Sequence, residues 1–155
     1  MTPHQFAQFF RASVRVLLDW QAIDGSDWPV ELSVAASKEE LDGWYFPWHV
    51  GRDGDETRFD DPAARPLRIL DWAPREFTAH REAVEVMAAS LRSIPGPVQL
   101  VIAAYALPEG RRLVLDGNHR LAAVVQESFP FRALVATLRG PVDERVLPDL
   151  RQWAR

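Results

Sequence analysis

Asp116, Gly117, Asn118, His119 and Arg120 are consecutive, and together they carry a carboxylate, an unhindered backbone, an amide, an imidazole and a guanidinium. That set suits phosphate. Gly117 and the amides after it can offer backbone N–H donors. Arg120 supplies a rigid fork of charged donors. His119 can donate to a phosphate oxygen or carry a proton. Asp116 alone would repel an anion. It fits if it holds a Mg2+ that bridges phosphate oxygens, or if it takes the proton of an acceptor hydroxyl. Asp-Gly by itself is also a common hairpin turn, and a single histidine is often structural. The phosphate reading rests on the combination and on its place at a strand-to-helix junction.

The flanking residues supply that junction. Arg112, Leu113, Val114 and Leu115 read as a strand, and the Ala-rich segment after Arg120 reads as a helix over 118–128. Asn118 is expected to cap it, and the helix start turns free N–H groups and a positive dipole end toward one spot. The string Leu-Asp-Gly-Asn-His-Arg-Leu-Ala-Ala resembles the signature of the ParB/sulfiredoxin-like superfamily. The order of elements from about residue 66 to 140 fits the same group, so the resemblance covers roughly half the chain. It implies an α+β fold, a small mixed or antiparallel sheet flanked by helices, with an extra N-terminal helix. It also implies nucleotide triphosphate binding at the helix start.

Within that superfamily the motif looks closer to a kinase that phosphorylates free serine than to chromosome-partitioning ParB, which has Gly-Glu-Arg-Arg here. Sulfiredoxin proper has a Cys before the His, where this chain has Asn118. The resemblance implies a second acid near the preceding helix. Glu76 is the residue in a comparable place, although a solvated first-turn Glu is equally natural. The function expected is a nucleotide-dependent, kinase-like transfer to a small molecule, with ATP, ADP or CTP and Mg2+ as cofactors. A non-catalytic nucleotide- or partner-binding module is the alternative, and a nucleic-acid-binding or nuclease domain is the third reading.

Five rings stand close together at Trp44, Tyr45, Phe46, Trp48 and His49. They cannot all face one side of a strand. They read as a loop pinned to the core, or as the wall of a ligand pocket in which Trp44, Tyr45, Trp48 and His49 enclose the substrate. Residues 51–64 carry five acids among Gly and Pro and read as an exposed loop; Asp53-Gly54-Asp55 lacks the calcium-loop spacing.

Elsewhere, Thr2 and Gln5 form a capping box for an amphipathic helix over 3–20, whose apolar face packs on the core or serves a homodimer contact. A strand is expected at 30–34, a one-turn helix with a second capping box at 37–43, and a strand at 67–72. A helix follows over 76–93, buried through His80, Ala83, Val84, Met87, Ala88 and Leu91. Strands at 98–107 and 131–138 and a helical tail over 142–153, interrupted near Pro148, complete the chain.

At 155 residues this is one domain: an N-terminal helical and loop extension (1–65), the core (66–140) and a C-terminal helix (141–155). With no Cys, disulfides, thiolate catalysis and Cys-ligated zinc are excluded. A net charge of −4 disfavours nucleic acid held by a basic surface. The longest apolar run, 100–107, is far too short to span a membrane, and the opening residues have no basic leader pattern. A cytoplasmic location is the expectation.

Overall fold

Strand residues here alternate between two apolar surfaces, and that alternation sets the architecture. The computed structural model describes residues 1–74 and 77–154. Its strands are β1 (Val30–Ala35), β2 (Trp44–Val50), β3 (Glu56–Thr57), β4 (Arg65–Arg68), β5 (Val98–Ala106), β6 (Arg112–Asp116) and β7 (Phe131–Leu138). They form one sheet in the order β1-β7-β5-β6-β2-β3, with β4 paired to β2. β5 runs parallel to β7, and β2 parallel to β6; the other pairs are antiparallel. The helices are α1 (Pro3–Phe10), α2 (Trp20–Asp24), α3 (Arg81–Leu91) and α4 (Asn118–Glu127). The fold is α+β with a mixed sheet.

Each face of the sheet has its own core. Ile102 and Ala104 of β5 and Val114 of β6 pack with α3, α4 and the rings of Trp44, Phe46 and Trp48. The intervening Ala103, Tyr105, Leu113 and Leu115 pack with α1, α2 and the C-terminal segment. From Ile102 to Tyr105 β5 is buried on both faces and has no place for charge, which explains that apolar stretch, whereas Gln99 and Val101 before it alternate outward. The first 65 residues, read as a helical and loop extension, supply β1, β2 and β3 to this same sheet.

Several boundaries differ from expectation for local reasons. The capping box at Thr2 and Gln5 forms, but α1 stops at Phe10 rather than running to residue 20. Ser13 Oγ donates to the Phe10 carbonyl at 3.1 Å, a competing bond of the kind that ends helices. Asp19 then caps α2 by accepting from Ala22 N at 2.9 Å. Between the two helices, Val14 and Leu18 stay buried while Leu17 is 76% exposed.

The expected capping box before the short turn at Glu39–Leu41 forms only in half. Glu40 accepts from the amides of Ala36 and Ser37, and the Ser37 side chain caps nothing. The strand expected over 67–72 is β4 followed by a 3-10 turn at Ile69–Asp71. The helix expected over 76–93 is α3, and His80 precedes it at the cap position with Ala83 on its exposed side. The tail has a 3-10 turn at Pro148–Gln152 in place of a helix. Among the described residues no helix is long and apolar enough to cross a membrane.

Candidate functional site at the start of helix α4

β6 delivers the motif. Leu113 and Leu115 fill one core and Val114 the other, so the strand is fixed on both sides up to Asp116. Gly117 then turns the chain with φ +91°. A Cβ there would overlap Ile102 Cδ1 and press on the Val101 carbonyl at 3.3 Å. Both the angle and the space demand glycine. Asp116 Oδ1 accepts from Gly117 N at 2.8 Å and fixes the turn. Leu121 N donates to the Gly117 carbonyl at 2.9 Å, which closes the first helical turn.

Gly117, not Asn118, is the cap residue. Asn118 is the first helical residue, and its Oδ1 is buried without a partner among the described residues. The expected side-chain cap is absent because the left-handed turn at Gly117 has already taken the cap position.

A cleft of about 630 Å³ opens over this turn. Asp116, Gly117, Asn118, His119 and Arg120 form one wall, Pro47 and Trp48 of β2 another, and His80 and Met87 a third. Ser13, Arg15 and Val16, from the segment that was expected to be helix, complete it. Of the four residues expected to enclose a substrate, only Trp48 lines this cleft. The 44–49 segment is strand β2, not a loop, so successive side chains face opposite ways.

Trp44 is buried with the Arg112 guanidinium over its ring at 5.1 Å, four strand residues away from Trp48. Tyr45 packs edge-on against Trp153 at 4.7 Å. His49 is 3% exposed and its Nε2 has no partner among the described residues; burial holds its pKa below the usual imidazole value. Glu76 lies outside the described residues.

Two residues that the sequence does not mark as candidates, His80 and Glu56, are linked to the motif by hydrogen bonds. His80 Nδ1 lies 3.0 Å from His119 Nε2, and His80 Nε2 lies 3.1 Å from Glu56 Oε1. His80 also stacks flat on Trp48, with ring centroids 4.0 Å apart and planes 10° from parallel. Glu56 belonged to the solvated acidic loop and His80 to a buried helix face. No local pattern joins them to the motif, because the chain separations are 24 and 39 residues.

The charges of the cleft are uneven. Arg15 and Arg120 are exposed and make no ion pair among the described residues. Asp116 is the one carboxylate on the described lining. Burial, and secondarily the neighbouring His80, lowers the pKa of His119, so its neutral form prevails at pH 7. The cleft is therefore locally cationic in a chain of net charge −4, an arrangement that attracts anions.

Among the described residues no cluster of three or more His, Asp or Glu is arranged to hold a metal ion. With Oδ1 engaged by Gly117, Asp116 offers one free oxygen. That fits a cation held by a single carboxylate and completed by ligand oxygens, the usual manner of Mg2+, and not a cage built of protein alone.

No family model matches the chain, and neither a curated protein nor a solved structure matches it.

Proposed function

We propose that this chain is a nucleotide-dependent phosphotransferase acting on a small molecule, with a ParB/sulfiredoxin-like core over residues 66–140. The observation that carries this reading is the convergence, over one cleft, of the left-handed Gly117 turn, the uncommitted guanidiniums of Arg15 and Arg120, and the imidazole of His119. The backbone donors at the start of α4 and Arg120 hold the phosphate chain. Trp48 closes one side of the cleft as an apolar border, its ring already stacked with Phe46 and His80. Asp116 would hold Mg2+ through its free oxygen, and the ion would neutralise charge on the phosphate oxygens.

In the transfer, the acceptor oxygen forms a bond to phosphorus as the bond from phosphorus to the bridging oxygen of the nucleotide breaks. The hydroxyl proton leaves to a base in the cleft. A nucleic-acid substrate is disfavoured, because the net charge is −4 and two guanidiniums do not make an extended basic track.

The test is direct. The protein is incubated with Mg2+, pooled metabolites and one of ATP, ADP, CTP or GTP, and nucleotide consumption is followed together with the appearance of a phosphorylated product. Turnover of one nucleotide coupled to one product is the expected result. Tight binding without turnover would replace the enzyme by a nucleotide-sensing module, and absence of both would overturn the reading.

A further inference from the structure

We infer that Glu56, His80 and His119 form a directional proton relay that makes His119 the general base of the cleft. Its use on an acceptor hydroxyl rests on the phosphotransferase reading; the relay itself does not.

The hydrogen-bond chain fixes its own direction. A carboxylate can only accept, so His80 Nε2, 3.1 Å from Glu56 Oε1, carries the hydrogen. Neutral His80 then has a lone pair at Nδ1. His119 Nε2, 3.0 Å away, must donate to it. His119 is left with a lone pair at Nδ1, which makes no hydrogen bond among the described residues, on a side chain that lines the cleft. Each tautomer follows from the one outside it.

The surroundings favour movement of positive charge outward. His119 resists charge because it is half-buried and because His80 lies beside it. His80 instead has the Glu56 carboxylate at one nitrogen, an acceptor for a hydrogen passed outward, and the face of Trp48 flat against its ring. Glu56 is exposed, so the outer end meets solvent.

The other charged groups lining the cleft are Asp116 from β6, Arg120 from α4 and Arg15 from the segment after α1. The step balances. The acceptor O–H proton goes to His119 Nδ1 as the O–P bond forms. The Nε2 hydrogen of His119 passes to His80 Nδ1, and the Nε2 hydrogen of His80 passes to Glu56 or to water. His119 and His80 are then both neutral with their hydrogens on Nδ1; Glu56 gives any proton it took to solvent, and exchange with solvent restores both starting tautomers.

The chain has four histidines, so nitrogen-15 spectra of the imidazoles can be assigned by single substitutions. Long-range proton–nitrogen correlations near pH 8 report each tautomer. The expected result is the Nε2–H form for both His80 and His119. Glu56→Leu removes the outer acceptor and should release His80 into a tautomer mixture, with His119 following. A fixed Nδ1–H form of His119 in the unmodified protein, or tautomers that ignore Glu56→Leu, would overturn the relay. If the variant folds poorly, the tautomers of the unmodified protein alone decide.

With a nucleotide that the protein turns over, Glu56→Leu should lower kcat about tenfold to a hundredfold at unchanged KM, the scale for outer partners that orient an imidazole. The acid limb of the rate should lie below pH 6.5, where His119 gains its proton. An unchanged kcat would remove the relay from catalysis. Absence of turnover with the predicted tautomers would sink the phosphotransferase reading while leaving the relay in place.

Discussion

Strand β2 contributes to two pockets of similar size, and they differ in what their charges are doing. Pro47 and Trp48 line the cleft over the Gly117 turn, about 630 Å³. Tyr45 and Val50 line a pocket of about 500 Å³ with Arg65, Arg68, Asp71, Phe77 and Trp153. In the second pocket Arg68 is committed to Asp42 at 2.5 Å and lies 4.0 Å from Asp71, and only Arg65 stands without an ion pair among the described residues. In the first, both guanidiniums are uncommitted, the helix start presents backbone donors, and three side chains form a hydrogen-bonded chain into solvent. Volume does not choose between them. Polar groups without internal partners do, because a ligand that meets them replaces water at little cost in broken protein contacts.

Substitutions should widen or erase this contrast, and the largest effect belongs to the turn. Gly117→Ala forces a side chain into a left-handed angle and onto Ile102. The combined cost should be about 2–5 kcal/mol of stability, read as a fall in the denaturant midpoint, with phosphate binding lost in whatever remains folded. Stability within about 0.5 kcal/mol of the parent would mean that the turn relaxes easily.

Asp116→Asn comes next. It keeps size and turn propensity, so the variant should fold and bind nucleotide at least as well while losing about a hundredfold in rate, the scale of one lost electrostatic stabiliser of the transition state, because it would no longer hold the Mg2+. Equal loss of binding and rate, measured by calorimetry beside steady-state kinetics, would reduce Asp116 to a turn builder.

Arg120→Ala should weaken nucleotide affinity by about 1.5–3 kcal/mol, as for a charge-assisted contact, with little change in stability because the residue is exposed. The smallest effect is expected in the other pocket. Arg68→Ala breaks an exposed pair worth at most about 1 kcal/mol and should leave nucleotide affinity unchanged. A larger loss of affinity from Arg68→Ala than from Arg120→Ala would reverse the assignment of the two pockets.

The parts of this arrangement that could be read in the sequence are those with local signals. β5, β6, α4 and β7 fall within a residue or two of the expected 98–107, 112–115, 118–128 and 131–138, because period, Gly117 and the prolines mark them. α1 stops short of residue 20 although the apolar residues at 14, 17 and 18 keep helical spacing, because Ser13 and Asp19 turn the backbone through side-chain bonds.

That break matters to the site, since it brings Ser13 and Arg15 to the cleft. The aromatic segment stands out in the sequence by its rings, but it forms a strand and not a loop. As a strand it sends Trp48 to the motif and Tyr45 to the other pocket, and buries His49. The contacts of His80 with Glu56 and His119 depend on the packing of β3 and the approach to α3 around β2, which no spacing in the sequence encodes.

The central claim is that phosphate is held at the Gly117 turn, and amide spectra of nitrogen-15-labelled protein test it most directly. The titrants are ATP, ADP and CTP, each with Mg2+. The backbone amides of Gly117, Asn118, His119 and Arg120 and the indole N–H of Trp48 should shift together along one saturating curve, while Arg65, Arg68 and the indole of Trp153 stay in place. Shifts confined to Arg65, Arg68 and Trp153, or no saturable shift at the Gly117 turn with any of these nucleotides at millimolar concentration, would contradict it.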